Sequence, residues 1–142
     1  MTTVGAGNEH TVFSMIDGRV LVTGYNDNGQ CGVGNTTQVR TPSQIMALEV
    51  DEIAQIHVYN GCEHSLAISK KGKLYSFGYN YRGQLGLGTV SSEVVPRLVK
   101  GLNSRKVVLA ACSYHHSIVL CADGAVFSFG RNDTGQLGHG DT

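Results

Sequence analysis

Short apolar runs separated by glycine-bearing turns organise this chain, and nowhere does a 3.6-residue period extend far enough to predict an amphipathic helix. Val12 and Phe13, residues 66–68 and residues 118–120 form one series of runs. Leu74 with Tyr75, and Val126 with Phe127, form a second, each reached from the first across a tight turn. The turns are Asp17–Gly18, the stretch KKG at 70–72 and Asp123–Gly124, where glycine supplies the positive φ that a hairpin needs. Runs of this kind predict strands that are apolar on both faces and therefore covered on both. In the middle of the chain the predicted strands are 55–58, 65–69, 73–77 and 97–100. Pro42 and Pro96 fall just before the last strand of their groups, at a strand start or sheet edge where a missing N–H is tolerated.

The pattern repeats. His10, His64 and His116 are spaced by 54 and then 52 residues. In that register Gly18, Gly72 and Gly124 coincide, and Gly24, Gly78 and Gly130 do so too. Asn26, Asn80 and Asn132 follow, then Gly29, Gly83 and Gly135, and next Gln30, Gln84 and Gln136. Gly32, Gly86 and Gly138, with Gly34, Gly88 and Gly140, close the series. The units run about 4–57, 58–109 and 110–142, the last cut short. Four short strands per unit at this period describe an all-β fold of β-propeller blades, each a four-stranded antiparallel sheet. The chain supplies an incomplete ring of about 2.6 blades. It begins in mid-unit, just before the first hairpin, and stops inside a glycine loop. The expectation is a segment of a larger protein, or copies that self-associate through exposed blade faces.

Composition adds limits. The 142 residues are enough to bury a core, and 11 basic against 11 acidic residues leave no net charge. Nothing general therefore favours nucleic acid or an acidic membrane. Lys70, Lys71 and Lys73, and Arg105 with Lys106, sit beside turns and read as solvated. No apolar run approaches the roughly 20 residues of a membrane span, and no signal segment is visible. The four cysteines lack any CxxC spacing, which favours free buried thiols in a reducing, intracellular setting, cytoplasmic or nuclear, over a zinc site.

The stretches GYNDNGQCGVG at 24–34, GYNYRGQLGLG at 78–88 and GRNDTGQLGHG at 130–140, each preceded by a histidine and a hairpin, resemble the repeat of the regulator-of-chromosome-condensation family. That repeat carries His–Ser, a hairpin, an aromatic–Gly pair and then N-x-x-G-Q-L-G-x-G. Thr11, Thr23 and Cys31 depart from it mildly. The resemblance implies seven-bladed rings, and protein-docking roles in large ubiquitin ligases of the HERC type, in ciliary and kinase-linked proteins and in the founding chromatin protein. It also raises an alternative, guanine-nucleotide exchange on a Ran-type small GTPase with chromatin association. That activity depends on an inserted wedge, and neither complete unit here carries an insertion, the histidine spacings being 54 and 52 residues.

The glycine stretches themselves read as architecture. A phosphate loop needs Gly-Lys-Ser/Thr, and a dinucleotide fingerprint needs a following helix. A calcium loop needs oxygen ligands that persist, whereas Asp27 and Asp133 face Tyr81. Asn26 and Gln30 with their counterparts are expected to satisfy loop backbone, and Cys31, Leu85 and Leu137 to plug apolar space. His10, His64 and His116 are expected to make a structural hydrogen bond at a blade end. No catalytic, cofactor or metal residues are assigned, since no nucleophile or carboxylate pair finds a partner. Function is sought where the copies differ: Tyr25, Tyr79 and Arg131 are equivalent, as are Asn28, Arg82 and Thr134. The loop bearing Tyr79, Tyr81 and Arg82 is rich in the residue types of binding hot spots. Two readings stay open: Tyr79, Tyr81, Arg82, Tyr25 and Arg131 contribute to a partner-binding surface, or their side chains pack on the adjacent blade. The function expected is a non-catalytic protein-interaction module in an intracellular scaffold or ubiquitin-ligase-type protein, whose partner is unidentified.

Overall fold

Three antiparallel sheets follow one another along the chain in the computed structural model, which describes residues 3–142. The first contains β1 (Val4–Ala6), β2 (His10–Ser14), β3 (Val20–Gly24) and β4 (Val39–Gln44), paired in that order. The second contains β5 (Ile53–His57), β6 (His64–Ser69), β7 (Leu74–Gly78) and β8 (Glu93–Leu98). Among the described residues the third has β9 (Val107–Cys112), β10 (His116–Cys121) and β11 (Val126–Gly130). Short 3-10 turns at Met46–Val50 and Lys100–Leu102 connect the sheets. The first strands β1, β5 and β9 approach one another, and β2 and β6 pack against the first strand of the following sheet. This is the radial stacking of propeller blades, not closed into a ring.

Several details differ from the sequence reading. Ahead of the first hairpin, Val4–Ala6 supplies a further strand that pairs with β2. The second sheet begins at Ile53, so its first strand lies within the stretch 4–57, ahead of the repeat boundary drawn there. The third likewise begins at Val107, within 58–109. Pro42 and Pro96 lie inside β4 and β8 instead of preceding them. Each falls where the register shifts: Val22 pairs Ser43 and Gly24 pairs Val39, just as Ser76 pairs Arg97 and Gly78 pairs Glu93. An edge strand with a bulge has no ladder bond at that position for proline to break.

Burial also divides the sheets. Every residue of β6 and β7 is buried, because the second sheet has a neighbour on each face. The outer sheets alternate, with β2 covered only at every second residue and Leu109, Ile118 and Val126 exposed on the third. Continuous apolar runs thus predict two-sided cover correctly only for the middle blade.

The sheets are joined by a hydrogen-bond relay that recurs at each junction. His10 Nε2 lies 2.8 Å from Ser65 Oγ, and Ser65 Oγ donates to the Gln30 carbonyl at 3.1 Å. One blade on, His64 Nε2 lies 2.8 Å from Ser117 Oγ, which donates to the Gln84 carbonyl at 2.9 Å. A carbonyl only accepts, so the serine proton is committed to it and the ring must donate from Nε2. Nδ1 is left as a bare buried acceptor in both His10 and His64. Protonating either ring would bury a second N–H without a partner. Burial pushes the His10 pKa down to about 4. At His64 burial, helped by the positive charges of neighbouring histidines, pushes it down to about 3.

These shifts have a definite sign. An unfolded histidine titrates near 6.5, so below that pH the unfolded chain binds protons that the native chain refuses. Stability should be flat above about pH 6.5 and fall by about 1.4 kcal/mol per pH unit for each histidine below it. The loss should level off once pH passes the folded values. Urea unfolding between pH 8 and 4 reads the slope, and replacing both histidines with glutamine should remove most of it.

Candidate interaction surface

Each histidine that opens a second strand pairs with the glycine that ends the third: His10 with Gly24, His64 with Gly78 and His116 with Gly130. The glycine stretch therefore emerges at the same end of its sheet as the relay. Gly78 shows why no other residue serves there. Its φ is +104°, and a Cβ would stand 2.7 Å from the Glu63 carbonyl oxygen and 3.1 Å from Gln30 Cα of the preceding blade. Gly32 is held between sheets in the same way, at φ +66° with its missing Cβ 2.8 Å from the Phe77 ring.

The polar repeat residues tie each loop to itself. Asn80 Nδ2 donates to the carbonyls of Thr89 and Ser91, while Asn80 Oδ1 accepts from the Leu85 N–H. Asn26 does the same with Asn35, Thr37 and Cys31, and Asn132 with Asp141 and Leu137. Gln30, Gln84 and Gln136 accept through Oε1 from the N–H two residues earlier. Asn26, Asn80, Gln30 and Gln84 are fully buried, as are Cys31 and Leu85, and burial pushes the Cys31 thiol up to about 11. Among the described residues no group of three or more His, Cys, Asp or Glu side chains gathers as a metal site.

Scaffolds of this rigidity leave the variable positions on a rim. Tyr79 and Tyr81 meet with ring centroids 4.9 Å apart, and Tyr79 lies 5.5 Å from the His115 ring of the next blade. His115 in turn takes the edge of Tyr114 at 4.6 Å. Tyr81 is 64% exposed and Tyr114 is half exposed. Arg82 and Arg131 both bear on this cluster: burial lowers the His115 pKa first, and the two guanidinium charges lower it further. Arg131 is paired with Asp133 at 2.7 Å, whereas Arg82 forms no salt bridge among the described residues. Tyr25 stands apart. Its hydroxyl donates to Asp27 at 2.7 Å, and that bond, with the nearby Glu9 and Glu63 carboxylates, raises its pKa. The rim thus runs from an acidic flank on the first blade to an aromatic and cationic cluster between the second and third.

Sequence comparison now fixes the family. The Regulator of chromosome condensation (RCC1) repeat matches residues 17–68 and 71–120, and a second description of the same repeat matches 1–30 and 107–136. The chain belongs to the RCC1 repeat family. Among similar proteins, the ultraviolet-B receptor UVR8 of Arabidopsis thaliana is 35% identical over 97% of this chain, which spans 31% of that receptor. The human E3 ubiquitin-protein ligase HERC2 is 35% identical over 96% of the chain and 3% of its own length. The probable human ligase HERC4 is 41% identical over 98% and 13%. Of solved structures, human WBSCR16 superposes with a TM-score of 0.81 at 30% identity, over 90% of this chain and 32% of that one. Prp20p of Saccharomyces cerevisiae, described with its binding to Gsp1p and histones, gives 0.85 at 24% identity over 99% and 35%. The chain spans about a third or less of the length of each of these five proteins.

Tyr114 and His115 are not found by comparing the glycine stretches, because they enter the rim from the turn before β10. The offset of Glu9, Glu63 and His115, one residue before the relay histidines, is the signal that could have found His115. Framework and rim should separate on substitution. Asn80→Ala strands two carbonyls and an N–H and should cost at least about 2 kcal/mol. Tyr81→Ala should cost under about 1 kcal/mol. Chemical denaturation of the two variants checks the contrast.

Proposed function

We propose that this RCC1-repeat chain is a non-catalytic interaction module, and that Tyr79, Tyr81 and Arg82, with Tyr114 and His115 beside them, form the part of the rim that docks a protein partner. The observation that carries this reading is the cluster itself: tilted aromatic rings in mutual contact, Tyr81 and Tyr114 exposed among them, beside an arginine with no salt bridge among the described residues. It stands on a loop whose Asn80 is consumed by hydrogen bonds to loop backbone. Aromatic and arginine side chains of this kind dominate binding energy when a partner desolvates them. Arg131, committed to Asp133, and Tyr25, committed to Asp27, contribute at the margins of the same surface.

The family context supports the reading. HERC2, a ubiquitin-protein ligase, and HERC4, a probable one, are many times longer than this chain. We place this chain as a propeller segment within an intracellular scaffold or ubiquitin-ligase-type protein, a setting that suits four free thiols. No helix of the structure is long and apolar enough to cross a membrane. Guanine-nucleotide exchange gains nothing from the likeness to Prp20p, because 24% identity carries the fold alone.

A photo-crosslinking residue at position 81, compared with one at Ile16 on the opposite hairpin end, tests the surface directly. Adducts of defined mass should form from 81 and not from 16, and Arg82→Ala should reduce them at least about tenfold. Equal labelling from both ends, or indifference to Arg82→Ala, would refute the assignment.

A further inference from the structure

All four cysteines are free and buried, yet two of them are not independent. Cys62 lies in the turn before β6 and Cys112 ends β9, in different sheets, with their Sγ atoms 3.0 Å apart. The remaining contacts of the two thiols are backbone carbonyls: Ser113 O at 3.4 Å from Cys62 Sγ, and His57 O at 3.5 Å from Cys112 Sγ. The Cys62 backbone is fixed on both sides, its N–H donating to Tyr59 and its carbonyl accepting from Asn8 of the first blade. Cys31 is different, since its thiol donates within its own loop, to the Tyr25 carbonyl. The structure therefore singles out one pair, located where three blades converge.

Burial and protonation distinguish the two thiols of the pair. Cys62 is fully buried and Cys112 is 8% exposed. The Cys112 thiol, hydrogen-bonded to its neighbour, holds the Cys62 thiol below the usual cysteine value, and the same contact pushes Cys112 up. Cys62 is therefore the sulfur of the pair that loses its proton first, and Cys112 the one that keeps it.

We propose that Cys62 and Cys112 are a reversible redox site, which a small hydroperoxide closes into a disulfide that ties the second blade to the third. The thiolate takes one peroxide oxygen as sulfenic acid, and the other oxygen leaves as hydroxide, protonated to water. The neighbouring thiol then displaces the sulfenic oxygen as a second water and forms the sulfur–sulfur bond. Two thiols lose two protons and two electrons, hydrogen peroxide gains them, and a reducing small thiol reverses the change. The bond lies beneath the rim: Gly61, one residue before Cys62, stands against Tyr114, where an added Cβ would come within 3.2 Å of the ring. Its formation is independent of whether that rim binds a partner.

Mass spectrometry of the native chain after hydrogen peroxide, against the chain held in dithiothreitol, tests the site. The expected results are a mass lower by two hydrogens and a thiol count in denaturant that falls from four to two. A chymotryptic map should join the peptides holding Cys62 and Cys112. Dithiothreitol should restore all four thiols. Oxidation should raise Tm by roughly 5 °C or more, since the bond closes a loop of 50 residues. Cys112→Ala should abolish these changes and Cys121→Ala should preserve them. Four titratable thiols after treatment, a bond involving Cys31 or Cys121, a covalent dimer, or sulfinic acid in place of the disulfide would overturn the proposal.

Discussion

A neutral imidazole at the end of one sheet, donating to a serine hydroxyl on the next, sets the geometry on which the other contacts depend. The hydroxyl passes its own proton back to the glutamine carbonyl of the first sheet, so three groups from two blades close one circuit. Both ends must be dry for it to work, and both are: His64, Ser65, Gln84 and Ser117 are fully buried. A buried hydrogen bond gains little net free energy, but leaving any member unpaired costs the whole desolvation of that group. The relay therefore acts more as a constraint on spacing than as a source of stability. It holds successive blades at one distance and one rotation.

Once that spacing is set, the glycine stretches have no freedom left. The glutamine of each relay lies in the loop itself, so its backbone is drawn against the next blade, close enough that Gly78 admits no side chain. Asparagine then absorbs the loop's unpaired carbonyls, and the residue after glutamine fills the apolar space beneath. Sequence varies between copies at positions outside the asparagine and glutamine bonds and the glycine contacts, among them 25, 27 and 28 with their counterparts. Those positions carry the tyrosines and arginines of the rim. A rigid frame holds them near one geometry before any partner arrives, which lowers the ordering cost of binding.

Much of this was legible beforehand. The 54- and 52-residue spacing of the histidines, with eight identities in step, specified strands, turns and blades without any structure. The role of the asparagines followed from chemistry, since a loop without a ladder must satisfy its own backbone. What was not legible depends on contacts between repeats. Ser65 and Ser117 follow their own histidines in sequence but serve the histidine of the preceding blade, a pairing that alignment of copies cannot show. Pro42 and Pro96 read as strand starts because a bulge leaves no periodic trace. The joining of Tyr79 to His115, and of Cys62 to Cys112, spans two units and appears only when the blades are stacked.

The central claim is that blade junctions are set by the histidine–serine relay, and a double-mutant cycle on His64 and Ser117 measures it most directly. Unfolding free energies of His64→Ala, Ser117→Ala and the double variant should give a coupling of at least about 1 kcal/mol at pH 7.5. A cycle on His64 and Ser65, adjacent in sequence but serving different junctions, should give a markedly smaller value. Additive losses for His64 and Ser117, or equal coupling in the two cycles, would contradict the account.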